Sequence, residues 1–373
     1  MDFSCVKKRM HALLELGVPG CSISIRRDHQ ELFRYVCGSR EREANVPMTG
    51  DERFYIFSCS KPITVTACMQ LIERGVLTLD TPVAKYLPEY ADVLVDENGT
   101  LVPPREPITV HHLLTMSAGL DYNIRGAIKD EGLDQKTDIT TREIAAAVAK
   151  RPLLFHPGDR FKYSMCHDVL GAVMEAAVGM RYGEYLRQNI FEPLGMHNTG
   201  FKRDVPNLAA QYECLEETGE LVNIGTKHPY NFSTQFESGG GGLVSTLDDY
   251  ALFADALACG GVGATGARII TEASINAVRE NQMGTFVKDP TFSCATGPGY
   301  GYGLGVRTLI DKSQGQRSPL GEFGWDGANG AFLIVDPVNH LSFAFMQHIR
   351  NWPRLMGEFY APIRDEVYDV LGL

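Results

Sequence analysis

A serine and a lysine stand three residues apart where a strand-like run leads into a long apolar segment. Residues 53–57 read RFYIF and residues 58–61 read SCSK. The segment 62–75 is mostly apolar and ends at a glycine, which is typical of a buried helix with a glycine C-cap. Because residues three apart share a helix face, Lys61 can take the proton of the Ser58 hydroxyl. This junction predicts a strand, a buried helix and a candidate nucleophile where they meet.

The serine-x-x-lysine spacing alone does not decide between a nucleophile and a structural serine. Ser4 and Lys7 have the same spacing, but they lie in a polar segment near a chain end that we expect to fray. Ser58 could equally be the N-cap of its helix, which is a common role for serine. On this segment alone both interpretations of Ser58 stay open.

Composition and charge limit the classes of partner. The 373 residues exceed one typical core, so we expect two lobes. A net charge of −11 argues against nucleic acid or an anionic membrane as partner. No apolar run in the sequence reaches the roughly 18 residues of a membrane span.

The cysteines and the first residues bear on the compartment. Nine cysteines are scattered without a Cys-x-x-Cys pair, and an odd, unclustered set favours free thiols over a disulfide framework. Residues 1–18 carry three basic side chains but lack the apolar core and cleavage site of a secretory signal. We therefore expect a cytoplasmic protein.

The order of predicted elements indicates an α+β protein. Strand-like segments near both chain ends are separated by a long stretch in which helical patterns alternate with proline and glycine loops. The predicted strands are 21–26, 31–37, 302–309, 331–335 and 341–347, and apolar spacing predicts a last helix over 352–371. We expect an antiparallel sheet flanked by helices, built from residues 1–78 and 236–373, with residues 79–235 inserted as a mainly helical domain.

Two further segments carry residues suited to the chemistry of a serine nucleophile. Tyr163 lies in GDRFKYSMCHDVLG, residues 158–171, and a phenol beside an ammonium can act as a base. Residues 323–331, FGWDGANGA, are rich in glycine, so their backbone can approach a substrate closely. Tyr163 alone would more often be a packing residue. A cleft between two lobes is where such distant groups would meet.

In this order, the three segments resemble the serine β-lactamase and penicillin-binding-protein superfamily, through its class C and family VIII carboxylesterase branch. That superfamily has serine-x-x-lysine, then tyrosine-x-asparagine or tyrosine-serine-x, then lysine-threonine-glycine, histidine-x-glycine or tryptophan-x-glycine. Residues 58–61, 163–165 (YSM) and 325–327 (WDG) stand in these positions. The similarity runs from about residue 10 to 350 and includes the stretches 108–120, 241–246 and 302–305.

The resemblance implies a β-lactamase/transpeptidase-like fold and a serine hydrolase that needs no metal and no organic cofactor. It implies that Ser58 attacks a carbonyl carbon, while Lys61 and Tyr163 take its proton and return it to the leaving group. The backbone amides of Ser58 and Ala328 would form the oxyanion hole. Water would then hydrolyse the acyl-enzyme.

Several positions depart from the class C pattern. Met165 stands where class C enzymes place an amide that holds the substrate, and Trp325 stands where they place a cation that binds the β-lactam carboxylate. The tryptophan form resembles family VIII carboxylesterases, which favours small or aryl esters. Asp326 adds a negative charge that further disfavours anionic substrates. Glu322 would take the position of Trp325 if the preceding loop differs in length.

The remaining motifs indicate substrate contacts and argue against metal and dinucleotide sites. The residues that we predict to bind substrate are Met165, Trp325, Asp326, Gly327 and His348, the last of which ends a strand that should border the cleft. The histidine spacings match no strong metal-ligand set, so we predict no metal site. The GVGATG at 261–266 follows a helix, which argues against a dinucleotide site, and the absence of glycine-x-serine-x-glycine argues against an α/β-hydrolase.

We predict a serine acyl hydrolase of carboxylesterase type that acts on a small-molecule ester or amide. A β-lactamase or a D-amino-acid peptidase or amidase is the alternative within enzymes. An inactive ligand-binding homologue is the alternative from another class. The sequence specifies neither the physiological substrate nor the oligomeric state.

Overall fold

The structure is a computed structural model that describes residues 1–284, 297–350, 352, 354 and 356–373. Cys294, one of the nine cysteines, lies outside the described residues, as do residues 353 and 355 of the predicted last helix.

Helices dominate the middle of the chain and strands dominate its two ends. The helices are α1 Ser4–Glu15, α2 Ser60–Glu73, α3 Val110–Leu114, α4 Ile124–Asp130, α5 Thr141–Ala149, α6 Cys166–Val178, α7 Tyr182–Leu186, α8 Glu192–Leu194, α9 Leu247–Ala258, α10 Glu272–Arg279 and α11 Ala361–Leu371. The strands are β1 Gly20–Arg27, β2 Gln30–Glu41, β3 Val46–Pro47, β4 Arg53–Tyr55, β5 Val95–Glu97, β6 Thr100–Val102, β7 Gln211–Cys214, β8 Leu221–Gly225, β9 Val244–Thr246, β10 Tyr300–Tyr302, β11 Arg307–Leu309, β12 Phe323–Asp326, β13 Phe332–Asp336, β14 Leu341–Gln347 and β15 Ile349–Arg350.

An antiparallel sheet joins the two ends of the chain. Among the described residues it has eight strands in the order β10-β11-β12-β13-β14-β1-β2-β3. Strand β1 lies between β14 and β2, so that Ile23 stands opposite Phe345 on one side and Tyr35 on the other. The predicted antiparallel sheet with contributions from both chain ends is confirmed. The predicted boundaries at residues 78 and 235 remain predictions.

Each face of the sheet packs against helices because the strand side chains alternate. On β13, Phe332 and Ile334 face a core that includes Met10 of α1 and Ile363 of α11. The intervening Leu333 belongs to the other core, which α2, α6 and α9 share. This period of two places one apolar layer on each side of the sheet. The predicted first and last helices therefore cover one face.

Helix α2 is buried on all sides, as the apolar run predicted. Residues 60–71 are all buried, since the helix contacts α6, α7 and α10 as well as β12. The helix ends at residue 73, and Gly75 follows with a left-handed φ of +68° while its N–H donates to Ile72 O. The predicted glycine C-cap is confirmed, and α2 holds its first turn rigidly inside the molecule.

The predicted strand 302–309 is interrupted. Strands β10 and β11 instead form a hairpin through Gly303 and Gly305. A Cβ at Gly303 would lie 2.1 Å from Val278 O, and Gly305 has a φ of +77°. These glycines allow a tight turn against α10, which is why the run reads as one strand in sequence but folds as two.

Within the described part of the chain, no helix is long and apolar enough to cross a bilayer.

Asp326 forms an ion pair with a buried arginine, so its negative charge is not unpaired. Arg307 on β11 and Asp326 on β12 form an ion pair at 2.5 Å, with 6% and 14% of their side chains exposed. Burial raises the pKa of Asp326, and the Arg307 cation opposes that rise. The expectation that Asp326 repels anionic substrates is therefore corrected, because its charge is matched by its neighbour.

We predict that Arg307→Met lowers the free energy of unfolding by about 3–5 kcal/mol, because it leaves the Asp326 carboxylate buried without its cation. Urea unfolding measures this loss. The double variant Arg307→Met/Asp326→Asn should recover most of the stability. A double variant as unstable as the single one would contradict the pairing argument.

Candidate active site

Ser58 lies in a tight turn between β4 and α2. The preceding residue, Phe57, has a φ of +45°, a left-handed value that costs energy for a residue other than glycine and is typical of functional sites. Residues Phe57–Cys59 form a 3₁₀ turn, and Cys59 takes the N-cap position of α2. The Ser58 hydroxyl therefore does not cap the helix, and it is free to make other contacts.

The side chains of Lys61 and Tyr163 both contact the Ser58 hydroxyl. Lys61 Nζ donates to Ser58 Oγ at 3.1 Å, and Tyr163 Oη donates to the same oxygen at 2.7 Å. Lys61 Nζ also lies 4.6 Å from the centre of the Tyr163 ring. The structure thus brings together the hydroxyl, the amine and the phenol that the sequence argument singled out.

Lys61 is completely buried and is held by a backbone carbonyl. Its exposed fraction is 0%, and its Nζ donates to Gly240 O at 2.5 Å. A Cβ at Gly239 would lie 2.3 Å from His167 O, and one at Gly240 would lie 2.4 Å from Asp168 Oδ2. The glycine run is therefore a buried support for Lys61, because only glycine permits this close approach to α6.

Two titratable groups of α6 lie beneath this support. Burial, together with the nearby Lys61 cation, lowers the pKa of His167 to about 3. Burial raises the pKa of Asp168. The hydrogen bond that its carboxylate accepts from the Ser238 hydroxyl and the nearby Lys61 cation both oppose this rise. His167 is therefore neutral near pH 7, and it adds no positive charge beside Lys61.

The Tyr163 ring is fixed by two aromatic neighbours. Tyr122 stacks on it with ring centres 5.6 Å apart, and Trp325 stacks with centres 5.7 Å apart. Trp325 Nε1 also donates to Tyr163 Oη at 3.3 Å. These contacts place Trp325 beside the proposed base. Glu322, the alternative for this position, is buried and accepts from the Tyr300 and Ser318 hydroxyls instead.

The turn between β12 and β13 lies against the segment that carries Ser58. A Cβ at Gly327 would lie 2.4 Å from Ile56 O, so only glycine fits this contact. Asn329 Nδ2 donates to Tyr55 O and to Gln347 O. The buried amide of Asn329, which the sequence argument missed, ties the turn to β4 and β14. Its neighbour Ala328 is exposed to the cleft.

A cleft of about 400 Å³ opens above these groups. Ser58 and Ala328 line it together with Tyr122, Tyr230 and Arg350. A larger cavity of about 660 Å³ lies elsewhere and is lined by none of these residues. The smaller cleft is therefore the candidate active site, because it alone of the two contains the candidate nucleophile.

None of the five residues predicted to bind substrate lines the cleft, and Met165 and His348 are buried elsewhere. Met165 is 1% exposed and packs with Ile124 and Phe236 in a separate apolar cluster. His348 is 1% exposed, and its Nδ1 hydrogen-bonds Ala210 O. Both expectations are corrected for the same reason, which is that each side chain turns inward from a segment that borders the cleft.

Sequence reasoning also missed three residues of the cleft. Tyr122 and Tyr230 form aromatic walls, and Arg350 supplies a cation whose Nη2 lies 3.7 Å from Glu213 Oε1. Arg350 is two residues from His348, so the strand end was identified but the wrong side chain was chosen. The cleft therefore contains a cation, which Glu213 partly neutralises.

The comparisons with known proteins cover nearly the whole chain. The sequence model of the family described as Beta-lactamase matches residues 4–361. Esterase EstB of Burkholderia gladioli is 30% identical, over 96% of this chain and 92% of its own. Lovastatin esterase of Penicillium rubens is 28% identical, over 88% and 89%. The solved structure of EstCE1, described as a hydrolase with promiscuous acyltransferase activity, has a TM-score of 0.80 at 27% identity and covers 98% of both chains.

His228 is buried and uncharged beside the candidate nucleophile. Its Nδ1 accepts the N–H of Tyr230 at 3.0 Å, so its Nε2 donates to Gly241 O at 3.1 Å. Its ring stacks on Phe57 with centres 4.9 Å apart. Burial lowers the pKa of His228 to about 3.

We predict that this histidine makes folding less favourable in acid. Between its unfolded pKa of 6.5 and its folded pKa of about 3, only the unfolded state takes up the proton. Its contribution to stability is therefore complete above pH 6.5 and is lost as the pH falls towards 3, with about 2 kcal/mol lost at pH 5. Urea unfolding at pH 7 and pH 5 measures the change.

The variant His228→Gln should lose less stability than the wild type between these two pH values. His197→Gln, which changes an exposed histidine, is the matched control and should keep the wild-type difference. Equal losses in the wild type and His228→Gln would show that His228 is not the group involved.

Proposed function

Because this chain belongs to the Beta-lactamase family and is a serine acyl hydrolase of carboxylesterase type, we propose that it hydrolyses esters through an acyl-enzyme formed on Ser58. The observation that carries this proposal is the pair of contacts to Ser58 Oγ, at 3.1 Å from Lys61 Nζ and at 2.7 Å from Tyr163 Oη. Two groups able to exchange protons touch one hydroxyl inside a cleft, as an activated nucleophile requires.

In the first step, Ser58 Oγ attacks the ester carbonyl carbon and passes its proton to Tyr163 Oη, which acts as the base in its phenolate form beside the Lys61 ammonium. The phenolate form of Tyr163 is favoured by the Trp325 N–H at 3.3 Å from Oη and by the Lys61 Nζ 4.6 Å from the ring centre. The same groups then return the proton to the departing alkoxide. General acid–base help of this kind is worth about 10²–10⁴-fold in rate.

The backbone amides of Ser58 and Ala328 are the proposed donors to the oxyanion. Both residues line the cleft, and the Asn329 side chain fixes the turn that carries Ala328. A donor held in place before the reaction costs no reorganisation when the carbonyl oxygen becomes charged. One such donor typically contributes about 3 kcal/mol of barrier lowering.

Water completes the reaction by attacking the acyl-enzyme, and the proton path runs in reverse. The small cleft with the aromatic walls Tyr122 and Tyr230 supports small or aryl esters as substrates. Since Arg350 also lines the cleft, carboxylate-bearing substrates, including β-lactams, are compatible with its charge. The odd, unclustered set of cysteines supports a cytoplasmic location as part of the same proposal.

We predict that a fluorophosphonate labels Ser58 and that Ser58→Ala lowers kcat for p-nitrophenyl butyrate by about 10³-fold or more, because the nucleophile is lost. Mass spectrometry of the labelled peptide and steady-state kinetics measure the two effects. Ser4→Ala is the matched control, since Ser4 has a lysine at the same spacing, and it should retain full activity.

Undiminished labelling of Ser58→Ala would remove the nucleophile assignment. Nitrocefin is the comparison substrate, and we expect it to turn over more slowly than the butyrate ester. Faster turnover of nitrocefin would favour the β-lactamase alternative over the esterase.

We predict that Trp325→Phe lowers kcat about tenfold and changes KM little. The variant keeps an aromatic ring beside Tyr163 but removes the N–H that is donated to the Tyr163 oxygen. Loss of a hydrogen bond worth about 1.4 kcal/mol in the transition state corresponds to a tenfold lower rate. Trp352→Phe, at the second tryptophan of the chain, is the control and should leave kcat unchanged. A raised KM with unchanged kcat would instead assign Trp325 to the pocket wall.

A further inference from the structure

Three side chains suited to binding a transition metal meet outside the cleft. His29 lies in the turn between β1 and β2, and Asp255 and Cys259 lie four residues apart at the end of α9. The ligand atoms of the three residues all lie within 4.8 Å of one another. None of the three lines the cleft that contains Ser58. The proposed esterase mechanism therefore gives this cluster no role.

The carboxylate of Asp255 is buried and only partly satisfied. Its side chain is 0% exposed, and its Oδ2 hydrogen-bonds His29 Nδ1 at 2.8 Å. Its Oδ1 has no hydrogen-bond partner among the described residues. Arg26 Nε lies 3.8 Å from this oxygen, which is an ion-pair contact but too long for a hydrogen bond, so the oxygen keeps a lone pair for a closer cation.

We propose that His29, Asp255 and Cys259 bind a zinc ion, with water as the fourth ligand. An imidazole nitrogen, a carboxylate oxygen and a thiolate are the ligand types that Zn²⁺ prefers. Bonds of about 2.0–2.3 Å in a tetrahedron place ligand atoms roughly 3.5 Å apart, so the present atoms need to move by about 1 Å. On binding, the Cys259 S–H bond breaks, its proton passes to solvent, and the sulfur bonds the metal.

Arg26 contacts two of the three proposed ligand residues. Its Nη2 donates to His29 O at 2.8 Å, and its Nε lies 3.8 Å from Asp255 Oδ1. Partners of this kind orient the ligands of a metal site. A divalent ion bound by one carboxylate and one thiolate carries no net charge, so Arg26 does not oppose its binding.

A neighbouring cavity gives the metal and its water a path to the site. The cavity has a volume of about 290 Å³ and is lined by Cys259, with Glu272 and His340 also at its wall. His340 Nδ1 is already bonded to Asp28 Oδ1 at 2.8 Å. Of the three proposed ligands Cys259 lines this cavity, so the metal and its water would reach the site past the thiol.

The metal would link the β1–β2 hairpin to α9, which packs on β1 and β14. We expect it to stabilise the fold and to leave ester hydrolysis unchanged, because none of its ligands touches the cleft. A metal that binds only the folded chain raises Tm, by a few degrees at a hundredfold excess over Kd.

The test is a cobalt titration of the full chain after treatment with a chelator. We expect one Co²⁺ per chain, with the intense visible bands of tetrahedral cobalt and a near-ultraviolet thiolate-to-cobalt charge-transfer band. Zn²⁺ should displace the cobalt and raise Tm. Cys259→Ser should lose the charge-transfer band, and His29→Gln should bind cobalt at least tenfold more weakly.

Cys214→Ser is the matched control, since Cys214 is also a partly exposed free thiol, and it should keep the wild-type spectrum. Ester hydrolysis and circular dichroism show that each variant is folded. Absence of the thiolate band in the wild type, or an unchanged band in Cys259→Ser, would overturn the proposal. Because these readouts do not involve ester turnover, they stand apart from the test of Ser58.

Discussion

The buried ammonium of Lys61 is the constraint on which the site depends. A charged group removed from water must find partners inside the protein, and Lys61 finds them in Ser58 Oγ and Gly240 O. The carbonyl can reach it only because residues 239 and 240 have no side chains to collide with α6. The position of the candidate nucleophile is thereby linked to a glycine segment almost 180 residues further along the chain.

At the third motif, an aromatic side chain that stacks on Tyr163 stands where class C enzymes have a cation. Trp325 and Tyr122 both hold the Tyr163 ring, and the Trp325 N–H reaches its oxygen. The indole therefore acts on the proposed base, whereas the sequence argument assigned it to substrate recognition. Positive charge enters the cleft from Arg350 instead.

The family, the antiparallel fold and the esterase-type hydrolase predicted from the motifs are confirmed. Motifs could be recognised because each depends on a few neighbouring residues, such as Ser58 and Lys61 on one helix turn. Substrate contacts were harder to predict. Met165 and His348 each stand two residues from one that lines the cleft, but Met165 packs in an apolar cluster and His348 packs against the rings of Phe54 and Tyr212. The identity of a residue alone does not reveal whether its side chain faces the cleft or the interior.

By itself, the sequence determined the buried helix α2, the alternating strands of the two-faced sheet and the order of the three motifs, since these follow from local spacing and periodicity. Only the tertiary structure decided that Arg307 neutralises Asp326, that Gly240 holds Lys61, and that Arg350 lines the cleft. Each of these contacts joins segments that are distant in the chain. Their partners depend on how the strands and helices pack, which no local pattern of residues specifies.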